Sequence, residues 1–133
     1  MATTTASLTL SSTDLTGDAL ALTTTTNLSK AGVTTGLDQF TGVARKTFAT
    51  AVTDENLIAA ADYTNSRAHK LYIKNTSTNP SEYFTVEVGS TNVVLGRLYA
   101  GDFMFVPYDG SNDIDIDASA AGMTIEFAVF YEA

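Results

Sequence analysis

The residues best suited to chemistry in this chain are the aspartates of DGSNDIDID. Asp113, Asp115 and Asp117 alternate, which in an extended strand puts their carboxylates on one face about 6.5–7 Å apart. Together with Asp109 and Asn112 they offer hard oxygen ligands of the kind Ca²⁺ takes. An EF-hand loop, however, wants acidic ligands at positions 1, 3 and 5 followed by glycine at 6, whereas Gly110 comes first here. The other reading is an outward-facing row on a strand whose opposite face buries Ile114 and Ile116. Strand geometry alone accounts for that row.

His69 is the single histidine. A zinc or iron site would need it together with carboxylates, and a nucleophilic triad would need it as the base. It stands in RAHK, where neighbouring cations disfavour its charged form, and it reads as a surface residue at a strand start. There is no G-x-S-x-G, no Walker loop and no G-x-G-x-x-G. With no cysteine, neither a disulfide framework nor a thiolate metal site exists. The expectation is a chain that is not an enzyme, with no catalytic residue, no cofactor and no small-molecule substrate. Tyr63, Tyr72, Tyr83, Tyr99, Tyr108 and Tyr131 could form a sugar-stacking surface. Tyrosine is also a favourable strand residue with a polar tip, so both readings stand.

The elements that would carry these groups are strands. HKLYIKNT, EYFTVEVG, NVVLGRLY, GDFMFVPY, NDIDIDAS and MTIEFAVFY follow one another, separated by NPSE, GSTN, YAG, DGSN and SAAG. Apolar residues recur at period two and breaks fall every eight to twelve residues, the pattern of an antiparallel sandwich or barrel. Leu71 and Ile73 oppose Tyr72 and Lys74; Phe84, Val86 and Val88 oppose Thr85 and Glu87. Ile125, Phe127, Val129 and Tyr131 form the longest apolar face. GDFMFVP is apolar on both faces, with Phe103 and Phe105 opposite Met104 and Val106. Such a strand is central, or has its outer face covered by a neighbour. These four residues are therefore expected in the core or at a subunit interface.

The first third differs. SLTLSST at 7–13 and ALALTTT at 19–25 share a pattern that puts Leu8 and Leu10, then Leu20 and Leu22, on one face of two strands. DLTGDA between them supplies turn residues. The result is a Thr-rich hairpin with a hydroxyl-covered second face. It is marginal by itself, and either packs on the body or leaves it as an arm. Residues 27–41 read as a loop broken by Gly32 and Gly36. FTGVARKTFATAV returns to strand character. TDENLIAAADYTN is either a short helix capped by Thr53 or a strand around Leu57–Ala59, and the strand is preferred because every neighbour is one. The expected organisation is a hairpin or arm at 1–28 and a β-sandwich body at 29–133, jelly-roll-like, within one domain.

The net charge of -8 argues against nucleic acid, which needs a basic footprint. All seven Lys and Arg lie between Lys30 and Arg97, and seven carboxylates follow Arg97. If those regions sit on different sides, one copy's acidic side can meet a neighbour's basic side; otherwise the acids are a solvated face. MATTTASLTLSS lacks the basic and apolar regions of a signal peptide, and no run approaches the ~18 apolar residues of a membrane span. Synthesis in a host cytoplasm and no membrane partner are expected.

The stretch KLYIKNTS–EYFTVEVG–GRLYAGDFMFVP–NDIDIDAS–MTIEFAVFYE, from Lys70 to Glu132, resembles small virion structural proteins of tailed bacteriophages. The resemblance implies a particle component and transfers no catalytic residue. It leaves open which part of the particle is involved. The absent chemistry, the split charge, the doubly apolar GDFMFVP strand and the Thr-rich N-terminus favour a capsid decoration or cement protein that binds assembled major capsid protein and copies of itself, expected as a homotrimer on the capsid surface of the virion. Leu8, Leu10, Leu20 and Leu22 are the expected anchors. The alternative within the same resemblance is a tail or fibre module binding host surface glycans.

Overall fold

The computed structural model describes residues 3–15 and 17–133. Among them are eleven strands and no helix, and therefore no helix long and apolar enough to cross a membrane. They are β1 (Thr5–Ser12), β2 (Leu20–Asn27), β3 (Gln39–Phe40), β4 (Ala44–Thr47), β5 (Val52–Ile58), β6 (Lys70–Asn75), β7 (Tyr83–Val88), β8 (Val93–Tyr99), β9 (Phe103–Pro107), β10 (Ile114–Ala118) and β11 (Thr124–Tyr131). The body is an antiparallel β-sandwich. One sheet runs β5-β10-β7-β8; the other runs β3-β11-β6-β9, with β4 also pairing β11.

Alternation along each strand builds the core. Leu71 and Ile73 of β6 and Ile125 and Val129 of β11 point inward from one sheet, meeting Phe84, Val86, Ile114 and Ile116 from the other. Each such side chain, fully buried, contributes about 1.5–3 kcal/mol. Met104 and Val106 join this core from β9, half-buried. The ambiguous stretch is strand: β5 pairs β10 through Ile58, Asn56 and Glu55. Its partner is already built, so tertiary pairing decides against the helix that the local Asp and Glu favoured.

Two buried polar residues pin the sandwich. Asn75, at the end of β6, donates from Nδ2 to the carbonyls of Leu98 (3.0 Å) and Glu82 (3.3 Å) and accepts from Ser77 N–H. It thereby ties one sheet to β8 of the other. His69 is fully buried, not a surface residue as its RAHK setting suggested. Its Nε2 lies 2.9 Å from the Thr64 carbonyl and its Nδ1 accepts from Glu132 N–H at 3.3 Å. With both nitrogens so placed the neutral imidazole satisfies two backbone groups, and its neighbours are Tyr63 and Tyr131 rather than water.

Three further expectations change. GDFMFVP is not a central strand: β9 forms an edge, paired only with β6, and its second apolar face is open. Residues 27–41 are not all loop, because Ser29 bridges Gly36 and β3 pairs the end of β11. The charge split in sequence does not become a split in space. Arg45 pairs with Glu126 and Arg67 lies 3.7 Å from Glu132, so late acids meet early bases within one chain.

Candidate functional site

The hairpin of β1 and β2 forms its own two-stranded sheet, with Leu10 opposite Leu22, Leu8 opposite Thr24 and Ser12 opposite Leu20. Directly paired residues share a face, so the leucines line up on one side. The other side is held by hydroxyls, among them Ser7 to Thr25 at 3.0 Å and Thr5 to Asn27 at 3.0 Å. No described residue of either strand is buried. Leu28, immediately after it, is buried, its N–H bonded to the Thr4 carbonyl and its carbonyl accepting from Leu37 N–H. Met1, Ala2 and Thr16, the last within the expected DLTGDA turn, lie outside the described residues.

The leucine side faces the outer surface of the β3-β11-β6-β9 sheet across an open cleft of about 1060 Å³. Ala6, Leu8 and Leu10 line one wall. Phe40, Val43, Tyr72, Phe103, Phe105 and Phe130 line the other. The aromatic wall is ordered by strand register: Phe105 sits opposite Tyr72, and Phe130 opposite Phe40. Phe40 and Phe130 stack with ring centres 4.7 Å apart, and Phe105 meets Phe130 edge-on at 6.2 Å. Phe103 is 57% exposed and Phe105 40%. At the rim, Arg45 and the Tyr72 hydroxyl both bond Glu126, holding its carboxyl below the ordinary glutamate range; the Arg45 bond is the larger cause.

Of the residues singled out from sequence, Leu8, Leu10, Phe103 and Phe105 meet at this cleft. Leu22 lies beside Leu10, Leu20 is half-buried at the far end, and Met104 and Val106 are turned into the body. Phe40, Val43 and Phe130 were missed. The second apolar face of TIEFAVFY, carrying Ala128 and Phe130, is the signal that could have found one of them. A second apolar surface is the β8 edge, where Val93, Val94 and Leu95 are all exposed.

The aspartate row is not a solvated row, and its three carboxylates do not converge. β10 lies inside its sheet, and Asp115 is buried. Asp113 accepts from Ala60 N–H, Asp115 from Asn56 Nδ2, and Asp117 from Asp54 N–H, at 2.8–2.9 Å. Only Asp117 enters a cluster, and its companions are Asp54 of β5 and Glu87 of β7. Burial, then the charges of Asp117 and Asp54, pushes the Glu87 carboxyl up.

The tyrosines are divided among three places. Tyr63, Tyr108 and Tyr131 pack around His69, and burial pushes the Tyr108 phenol up to about 12. Tyr83 and Tyr99 pair on the other sheet under Arg97, and Tyr72 stands alone in the cleft. His69 has its two ring nitrogens engaged by backbone. What the site can do chemically is bury apolar surface. Comparison with known proteins adds no relative to this geometry: no family model, curated protein or solved structure matches the chain.

Proposed function

We propose that this chain is a virion structural protein that decorates and cements an assembled capsid, with contact rather than catalysis as its work. The observation that carries the reading is the cleft. A hairpin with no buried residue among those described turns its leucines toward an exposed aromatic sheet face and leaves the space between them open. Exposed apolar side chains on both walls, among them Leu10, Phe40 and Phe103, support a contact role. The occupant is the hairpin of a second copy: the leucine face of each hairpin packs on the aromatic face of the next. One patch fitting a different patch on the neighbour is a head-to-tail contact, which closes into a ring when the rotation allows, and a homotrimer is the smallest such ring beyond a dimer.

The strand orders β4-β11-β6-β9 and β5-β10-β7-β8, with the first body strand beside the last, support the jelly-roll reading, since a double Greek key winds this way. The phage resemblance of Lys70–Glu132 supports the virion assignment. The rival, a tail or fibre module stacking host glycans, draws less support because the tyrosines share no single surface.

The test is co-sedimentation of purified protein with shells assembled from the major capsid protein of the encoding phage. Wild-type protein is expected to pellet with the shells. Protein lacking residues 1–26, which keeps buried Leu28, is expected to stay in the supernatant while its body still melts cooperatively. Absence of wild-type binding, together with saccharide binding, would replace this reading by the glycan one.

A further inference from the structure

Away from the cleft, on the outer face of the β5-β10-β7-β8 sheet, Asp54, Glu87 and Asp117 each bring a carboxylate oxygen within 4.8 Å of the other two. They come from three adjacent strands. A bulge between the Ile116 and Ala118 pairs of β10 sets Asp54, with φ of 52°, beside Asp117. Asp54 Oδ1 is taken by Asn92 Nδ2 at 2.6 Å and Asp117 Oδ1 by Asp54 N–H. Asp117 keeps one oxygen without a hydrogen bond among the described residues, and the Asp54 carboxyl lies within hydrogen-bond reach of the Glu87 carboxyl.

Glu87 supplies the second, independent observation. Its side chain is buried, with 6% of the residue exposed, and its Oε2 has no hydrogen-bond partner among the described residues. A buried carboxylate oxygen left unpaired is costly, and native chains rarely keep one without an ion, water or function to explain it. No counter-charge reaches the cluster: the four ion pairs among the described residues all engage other carboxylates. Arg97, in the same sheet, lies over the Tyr83 ring instead.

We infer that Asp54, Glu87 and Asp117 form a binding site for a hard divalent cation of the Ca²⁺ type. The donor set is all carboxylate, with no histidine or thiolate, which suits Ca²⁺ rather than zinc or copper. Ca–O distances of about 2.3–2.6 Å let one ion touch oxygens on opposite sides of such a cluster. Mg²⁺ is held closer, demands octahedral geometry and keeps its waters, so three strand-fixed carboxylates suit it less. The exposed side of Asp54 leaves coordination positions for water. The ion would clamp edge strand β5 to β10 and β7, stabilising the body independently of the proposed assembly.

The experiment uses full-length protein freed of metal with chelator, titrated calorimetrically with CaCl₂ and melted with and without 5 mM CaCl₂. Expected are a dissociation constant of about 0.1–1 mM and a rise in melting temperature of about 4–8 °C, larger for the tighter constant. Glu87→Gln removes a ligand charge while keeping the shape. It is expected to weaken Ca²⁺ binding at least about tenfold, to lose the thermal response, and to melt in chelator no lower than the wild type. Asp54→Asn, at an exposed edge position, gives the same loss if the buried substitution fails to fold. A wild type with neither heat nor thermal shift, variants that respond like the wild type, or a response to 5 mM MgCl₂ equal to that to Ca²⁺ would each overturn the assignment.

Discussion

Replacing Leu10 and Leu22 together by aspartate perturbs the proposed contact most sharply. The two face each other in the hairpin register and are 46% and 43% exposed. Neither is buried in the isolated chain, so the double variant should change its stability by no more than about 0.5 kcal/mol per site. At an interface, covering a fully exposed leucine is worth about 1.5–3 kcal/mol, and the exposed near-half of both side chains therefore about 1.3–2.7 kcal/mol. Aspartate forfeits that and adds the desolvation of two carboxylates against Phe103 and Phe105. The combined loss passes about 3 kcal/mol, or about a hundredfold in association at 1.4 kcal/mol per decade. Thr9→Asp with Thr23→Asp puts the same charges in register on the hydroxyl side, which faces away from the cleft. Light scattering over a concentration series, paired with thermal melts, reads both variants. The leucine-side pair should dissociate yet still melt cooperatively, near the temperature the wild type shows when diluted to monomer, and the hydroxyl-side pair should associate as the wild type does. Equal weakening by both pairs would refute the face assignment, and an unaffected leucine-side pair would refute the contact.

Other consequences concern the body. His69→Leu strips the Thr64 carbonyl and the Glu132 N–H of their partner in the interior, at a cost of about 2–4 kcal/mol in urea unfolding; a loss below about 1 kcal/mol would make the pin unimportant. Gly110→Ala should cost about 2 kcal/mol or more, because φ is +86° and an added Cβ would lie 2.9 Å from the Thr64 and Tyr63 carbonyl oxygens. Glu126, held low by Arg45 and then by Tyr72, contributes stability that is present above the ordinary glutamate range and lost as pH falls through its lowered value. Arg45→Ala should raise that carboxyl, followed by carbon-detected NMR titration, and shrink the loss of stability on acidification. An unmoved Glu126 titration would show that the pair does not set it.

Most of the strand framework was legible because its signal is local. Period-two alternation located the strands from Lys70 onward, and turn residues bounded them. The leucine spacing gave the hairpin its faces before its register was known. What stayed hidden depends on contacts distant in sequence. RAHK looks solvent-facing until Glu132, 63 residues further on, meets His69 opposite the nearby Thr64 carbonyl. The aspartate row reads as self-sufficient along β10, yet the cluster needs Asp54 from 63 residues earlier and Glu87 from another strand, brought together by a bulge that no alternation pattern announces. GDFMFVP has the pattern of a central strand although β9 is an edge, since periodicity cannot distinguish a face covered by its own chain from one left for a neighbour.

The most direct test of the central claim is the solution mass of the purified wild-type chain by size exclusion with light scattering. The account predicts a stable species near 42 kDa, three times the 14.0 kDa chain. A species of 14.0 kDa that persists as concentration is raised would contradict the exchange of hairpins between copies.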